Sequence, residues 1–176
     1  MQVKEAFSRD ANNVPITTDG LVTSDIQTLT GNNTTVHVPI FTVAGSIEVR
    51  GLWGVVTTVL GANNTAAYWR FNDQTNQSNI TLNTGTTLSA AAVGSLIVKN
   101  GLAAAALTLL SASQERVSEP TTLETPYFSP FVLTALPTAT SNIEFTYSTT
   151  DTPTSGVIQF FLRWLPLTNN ANVTAL

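Results

Sequence analysis

His37 is the single histidine of the chain, cysteine is absent, and eleven Asp and Glu side chains face seven Lys and Arg. A hydroxyl–imidazole–carboxylate set would have to use His37 as its base, and no Gly-x-Ser-x-Gly elbow accompanies it. One imidazole without thiolates also falls short of an ordinary zinc ligand set. His37 alternates with Val36 and Val38, which puts it on the polar side of a strand as a surface or subunit-contact residue. Glycoside hydrolysis needs two carboxylates across one bond, but the acids here are scattered. Glu48 and Arg50 share a strand face and suit a surface ion pair of small energetic worth. Glu115, Glu119 and Glu124 lie close together in one loop region, without the Asp-x-Asp-x-Asp-Gly spacing of a calcium loop. No Gly-x-Gly-x-x-Gly or Walker loop occurs. These residues predict no catalytic, cofactor-binding or metal-binding site, no cofactor, and a protein that is not an enzyme.

Three tryptophans, Trp53, Trp69 and Trp164, offer flat rings of the kind that stack on sugars. Each sits in an apolar alternation, so the expectation is that all three pack in the core. Asn32, Asn33, Asn63, Asn76, Asn79 and Asn172 each begin an Asn-x-Ser/Thr triplet. In a chain this rich in Thr and Asn they arise from composition, and no glycosylation is read from them.

The elements that must position these groups are strands. Thr takes roughly one position in six, far above ordinary usage, and Thr and Val are β-branched residues suited to a pleated surface. Val36, Val38 and Ile40 alternate with Thr35, His37 and Pro39; Pro39 cannot donate to a ladder, so the strand is expected at an edge or bulged there. Gly45-Ser46 turns into the alternating run 47–52, and 53–60 reads apolar on both faces, as a buried central strand would. Gly61-Ala62-Asn63-Asn64 reads as a hairpin-type turn, followed by a strand holding Ala67, Trp69 and Phe71. Residues 72–79 read as a polar loop before Ile80-Thr81-Leu82. Asn100-Gly101 suits a type I′ turn after the strand 96–99. Residues 103–110 are ambiguous between an alanine helix and a returning strand, with strand preferred. A loop over 118–126 precedes strands at 128–135, 142–147 and 156–165. In the last two, Ile143, Phe145 and Tyr147 share one face, and Ile158, Phe160, Leu162 and Trp164 share another. The predicted class is all-β, an antiparallel β-sandwich or barrel with an extended N-terminal arm.

Residues 1–31 read differently from the sandwich domain at 32–176. Lys4, Glu5, Arg9 and Asp10 crowd the first ten positions, and the apolar residues that follow lack sustained periodicity. One reading is a terminus with one edge strand. The other is an extended arm that orders on a neighbouring chain by adding a strand. On that second reading the candidate interface is Val3, Phe7, Val14, Pro15, Ile16, Leu21, Val22, Ile26 and Leu29.

Composition narrows the partners. A net charge of −4 argues against nucleic acid, which selects clustered Lys and Arg, and against an anionic membrane surface. The longest apolar stretch, 102–110, is about half the ~20 residues of a membrane span. The opening residues 1–7 carry no apolar run of the signal-peptide kind. Absence of Cys excludes a disulfide-stapled scaffold.

Three segments carry a resemblance. They are Ser8-Arg9-Asp10-Ala11-Asn12-Asn13-Val14-Pro15; Ile40-Phe41-Thr42-Val43-Ala44-Gly45 running into Leu52-Trp53-Gly54-Val55-Val56-Thr57-Thr58; and the stretch 156–164 with Leu165-Pro166-Leu167. In these the chain resembles small structural proteins of tailed bacteriophages. The resemblance implies a virion component made in the host bacterial cytoplasm: a capsid decoration or cement protein, homotrimeric, with the major capsid protein as its partner. A tail, neck or head-spike protein with a receptor- or glycan-binding role is the alternative. No catalytic residue is implied.

Overall fold

The computed structural model describes residues 21–62, 64–83, 86–99, 105–110, 130–136, 140–150 and 155–176. Among these there are eleven strands and no helix. They are β1 (Leu21–Thr28), β2 (Thr35–Ala44), β3 (Ser46–Thr58), β4 (Asn64–Asn72), β5 (Gln77–Asn79), β6 (Leu96–Lys99), β7 (Leu107–Leu110), β8 (Phe131–Thr134), β9 (Ser141–Thr149), β10 (Val157–Pro166) and β11 (Asn172–Ala175). Two antiparallel sheets face each other. One has the order β1-β10-β3-β6-β7, with β8 also on β3; the other runs β11-β2-β9-β4-β5. The all-β sandwich expected from the alternating sequence is the fold observed.

Period-two patterning places the core between the sheets. Ile143, Phe145 and Tyr147 of β9 and Ile158, Phe160 and Leu162 of β10 are wholly buried. Phe145 is the hub: its ring lies 4.9 Å from Phe160 across the sandwich, 5.6 Å from Trp69 and 6.0 Å from Tyr147. Tilted aromatic contacts of this kind add about 0.5–1.5 kcal/mol each beyond area burial.

The turn signals were right about where the chain reverses and wrong about what they join. Gly61 to Asn64 does not close a hairpin, because β3 and β4 belong to different sheets. The same is true of Gly45, which carries the chain from β2 to β3 with a φ of 65°. A Cβ at Gly45 would stand 2.6 Å from the Thr168 hydroxyl, so the crossing is that tight. Among the described residues, only β4–β5 and β6–β7 are consecutive strands that pair with each other. The Asn100-Gly101 turn proposed between β6 and β7, the loop 118–126 and most of the turn 151–156 lie outside the described residues.

Other details depart from the sequence reading. Gln77–Asn79, expected within a polar loop, pairs with Arg70–Asn72 as β5, and β11 pairs with the second half of β2. Pro39 sits where β2 bulges against β9, between the pairs Pro39–Glu144 and Phe41–Ile143. That bulge is the accommodation the missing N–H requires.

Residues 21–29, expected within the arm, belong to the sandwich. All eight residues of β1 pair with β10, and Leu29 is 1 % exposed in the core. The Leu29 N–H donates to the Gly156 carbonyl at 2.9 Å. Tyr147 fixes the next residue: its hydroxyl donates to the Thr30 carbonyl at 2.7 Å and accepts from the Thr30 N–H at 2.9 Å. Burial holds the Tyr147 phenol above its usual pKa, with the Thr30 bonds opposing.

Candidate functional site

The two outer faces of the sandwich differ in chemistry. On the five-stranded sheet the outer face is polar. Arg70 and Glu144 are cross-strand neighbours on β4 and β9, nearly buried and joined through Arg70 Nε and Glu144 Oε2. Arg70 Nη1 donates to Gln77 Oε1 at 2.7 Å and Asn72 Nδ2 to Glu144 Oε1 at 2.8 Å. Each member of the ion pair thereby gains a further hydrogen bond, which supports a pair withdrawn from water.

His37 stands one cross-strand pair away, exposed, with Nδ1 2.9 Å from Thr146 Oγ1. Desolvation and the Arg70 charge lower its pKa, against a smaller opposing pull from Glu144. Thr146 is fully buried, so this hydroxyl–imidazole contact gives a substrate no access to a nucleophile. The surface position expected for His37 is where the structure places it. Among the described residues no group of three His, Asp or Glu could hold a metal ion; Glu115, Glu119 and Glu124 lie outside them.

On the six-stranded sheet the outer face is apolar and aromatic. The register aligns Ser24, Phe161, Trp53 and Val98 in one row and Ile26, Gln159, Val55 and Leu96 in the next. Trp53 is half-buried rather than in the core, which corrects the expectation made for it and for a strand covered on both faces. Its ring stacks on Phe161 at 5.3 Å and 10°. Trp69 and Trp164 do lie in the core, Trp164 with its indole N–H on Thr23 Oγ1 at 3.1 Å. Val22 and Ile26 of β1 are 55 % and 62 % exposed on this same outer face.

Of the candidate interface residues, Val22 and Ile26 are therefore open to a partner, Leu21 is half-buried against the core, and Leu29 is inside it. Leu29 is withdrawn from the interface because it belongs to the domain's own core. Val3, Phe7, Val14, Pro15 and Ile16 lie outside the described residues. Among the described residues β1 pairs on one side only, with β10.

The opposite side of that sheet carries a notch. β8 pairs with Ser46 to Val49 of β3, and β6 pairs with Trp53 to Val55 on the same edge. Neither reaches Arg50 to Leu52, and β3 bulges at Arg50, between the pairs Gly51–Arg163 and Val49–Trp164. A cleft of about 400 Å³ opens there, with Arg50, Trp53, Lys99 and Arg163 among its walls. Glu48 Oε1 accepts from Arg50 Nε at 3.2 Å, the ion pair expected from their spacing. Lys99 is buried with Nζ 5.2 Å from the Phe131 ring centroid, and its burial lowers the ammonium pKa. Sequence reasoning missed this cleft, because its residues come from three strands distant in the chain.

No helix among the described residues is long and apolar enough to cross a membrane. Comparison with protein-family models, with curated proteins and with solved structures finds no match to this chain.

Proposed function

We propose that this chain is an assembly protein of a tailed-phage particle, a decoration or cement protein that binds the major capsid protein and stabilises the head shell. The observation that carries this reading is β1, an eight-residue strand that among the described residues pairs on one side only, with Val22 and Ile26 exposed. Natural edges are ordinarily blunted with Lys, Pro, a bulge or an inward-pointing charge; β1 has only the last of these, in the buried Asp25. An edge of that kind adds a strand from a partner, backbone bonds giving affinity and alternate side chains giving specificity. Binding the assembled shell in preference to its dissociated subunits raises shell stability by mass action. A homotrimer would match the threefold positions of an icosahedral shell, and the finished protein would reside in the virion.

The test is copy number in purified particles by quantitative mass spectrometry, together with shell binding of the Val22→Lys and Ile26→Lys variants. Copies comparable in number with the major capsid protein, and roughly tenfold weaker binding by folded variants, are expected. Undiminished binding by both variants removes β1 from the interface.

A second reading, a tail, neck or spike protein that recognises glycans, is favoured by one observation: Trp53 faces outward beside a cleft. A few copies per particle would select it.

A further inference from the structure

We propose that β1 is a two-fold contact between copies of this chain, paired antiparallel with β1 of a second copy about Ser24. The inference rests on the assembly reading and names the strand that β1 receives.

The backbone decides which residues offer the edge. The Leu29 N–H donates to the Gly156 carbonyl. These two residues continue the register that runs without a shift from Leu21–Trp164 to Thr28–Val157. Bonded and non-bonded pairs alternate along an antiparallel ladder, so Leu21, Thr23, Asp25 and Gln27 turn their N–H and C=O groups to β10. Val22, Ser24, Ile26 and Thr28 turn theirs away, and among the described residues no strand takes them. The side chains of these same residues are the exposed ones.

The order of side chains along β1 matches itself when reversed. With Ser24 facing Ser24 of the second copy, Val22 lies opposite Ile26 of the second copy, and Ile26 opposite its Val22. Both are pairs of exposed β-branched residues suited to a pleated surface. Asp25 is the one charge in β1, buried and accepting from Gln27 Nε2. In this register it lies opposite Thr23 of the second copy. Centring the axis on Asp25 would set two carboxylates opposite each other, which is destabilising. The inward charge that guards the edge against other strands therefore selects this register among self-pairings. The next strand agrees, since Arg163 pairs with Val22 and Gln159 with Ile26. Reversal puts Arg163 on the row of Gln159 of the second copy, which keeps the two guanidiniums apart.

A contact of one strand pair is smaller than the roughly 1,200–2,000 Å² of a stable complex. Free copies therefore pair weakly, and copies held side by side on a shell pair more strongly, through effective concentration. A two-fold contact at β1 leaves the contacts of a homotrimer free, and an icosahedral shell carries both axes.

The experiment is oxidative cross-linking of the full chain, which has no cysteine of its own. Facing Cα atoms of a bonded antiparallel pair stand about 5.5 Å apart, within disulfide reach of ~4.4–6.8 Å. The two copies of position 22 would stand more than ~13 Å apart. Ser24→Cys is expected to form a disulfide dimer at least roughly tenfold faster than Val22→Cys or Ile26→Cys alone. An equimolar mixture of Val22→Cys and Ile26→Cys is expected to link one variant to the other, and adding Val22→Lys to Ser24→Cys to slow its linkage. Absence of a Ser24→Cys dimer, equal rates for the three single variants, or a mixture no faster than its components each overturns the proposal. Pairing of β1 with residues 1–20 of its own chain, or with a capsid strand alone, gives the first of these results. Linked dimers of a protein absent from purified particles would overturn the assembly reading and leave the pair. Copies in particles without linkage would do the reverse.

Discussion

Arg70 and Glu144 hold the polar outer face of the five-stranded sheet together, and their value lies in being paired. Arg70→Met strands a nearly buried carboxylate, and a loss of about 3–5 kcal/mol is expected in chemical denaturation. The double variant Arg70→Met, Glu144→Leu is expected to recover most of that loss, since the unpaired charge is gone. His37 beside them gives a pH signature. Its folded pKa is lowered, so the unfolded chain binds the proton more readily. The contribution of neutral His37 to stability is complete above about pH 6.5 and declines as pH falls from there towards the lower folded value. Histidine NMR titration is expected to place the folded midpoint below 6.5, and His37→Gln to flatten that acid-side slope. Lys99 follows the same sign at alkaline pH, since its lowered pKa makes the charged form the costly one when folded.

Strand by strand, burial was more legible than connection. The faces of β9 and β10 could be read from alternation alone, because each sheet has one wet and one dry side and a one-residue slip would expose the whole set. Which strand lies beside which could not, since a Gly-Asn turn looks alike whether it returns to the same sheet or crosses to the other. β5 escaped notice because Gln77, Ser78 and Asn79 are all exposed and are strand only through pairing. Trp53 misled because the sequence shows apolar residues on both faces of β3 and says nothing about what covers the outer one. The extent of the sandwich includes β1. Deleting residues 1–31 removes β1 and the buried Leu29. Loss of that leucine alone costs about 2–5 kcal/mol by analogy with core truncations, and the melting temperature is expected to fall sharply in differential scanning calorimetry.

At the scale of the whole molecule, the surfaces differ in chemistry. The core, centred on Phe145, joins the sheets; the polar face carries the hydrogen-bonded Arg70–Glu144 pair; the apolar face offers β1 at one margin and the notch between β6 and β8 near the other. Neither offering was readable as a site from the chain alone, because β1 is defined by pairing with β10 and the notch by the ends of two strands that stop short of each other.

The place of β10 between β1 and β3 also sets the order of events in time. Residues 157–166 supply the partner for all of β1 and for one whole edge of β3, about a hundred residues after β3 itself is made. At a synthesis rate of ~5–20 residues per second, β3 waits roughly 5–20 s on the ribosome with that edge bare. Such distant pairing folds slowly, in the millisecond-to-second range, and leaves nascent chains open to association with one another. Added chaperone during synthesis is therefore expected to raise the folded fraction, read as soluble protein per cell.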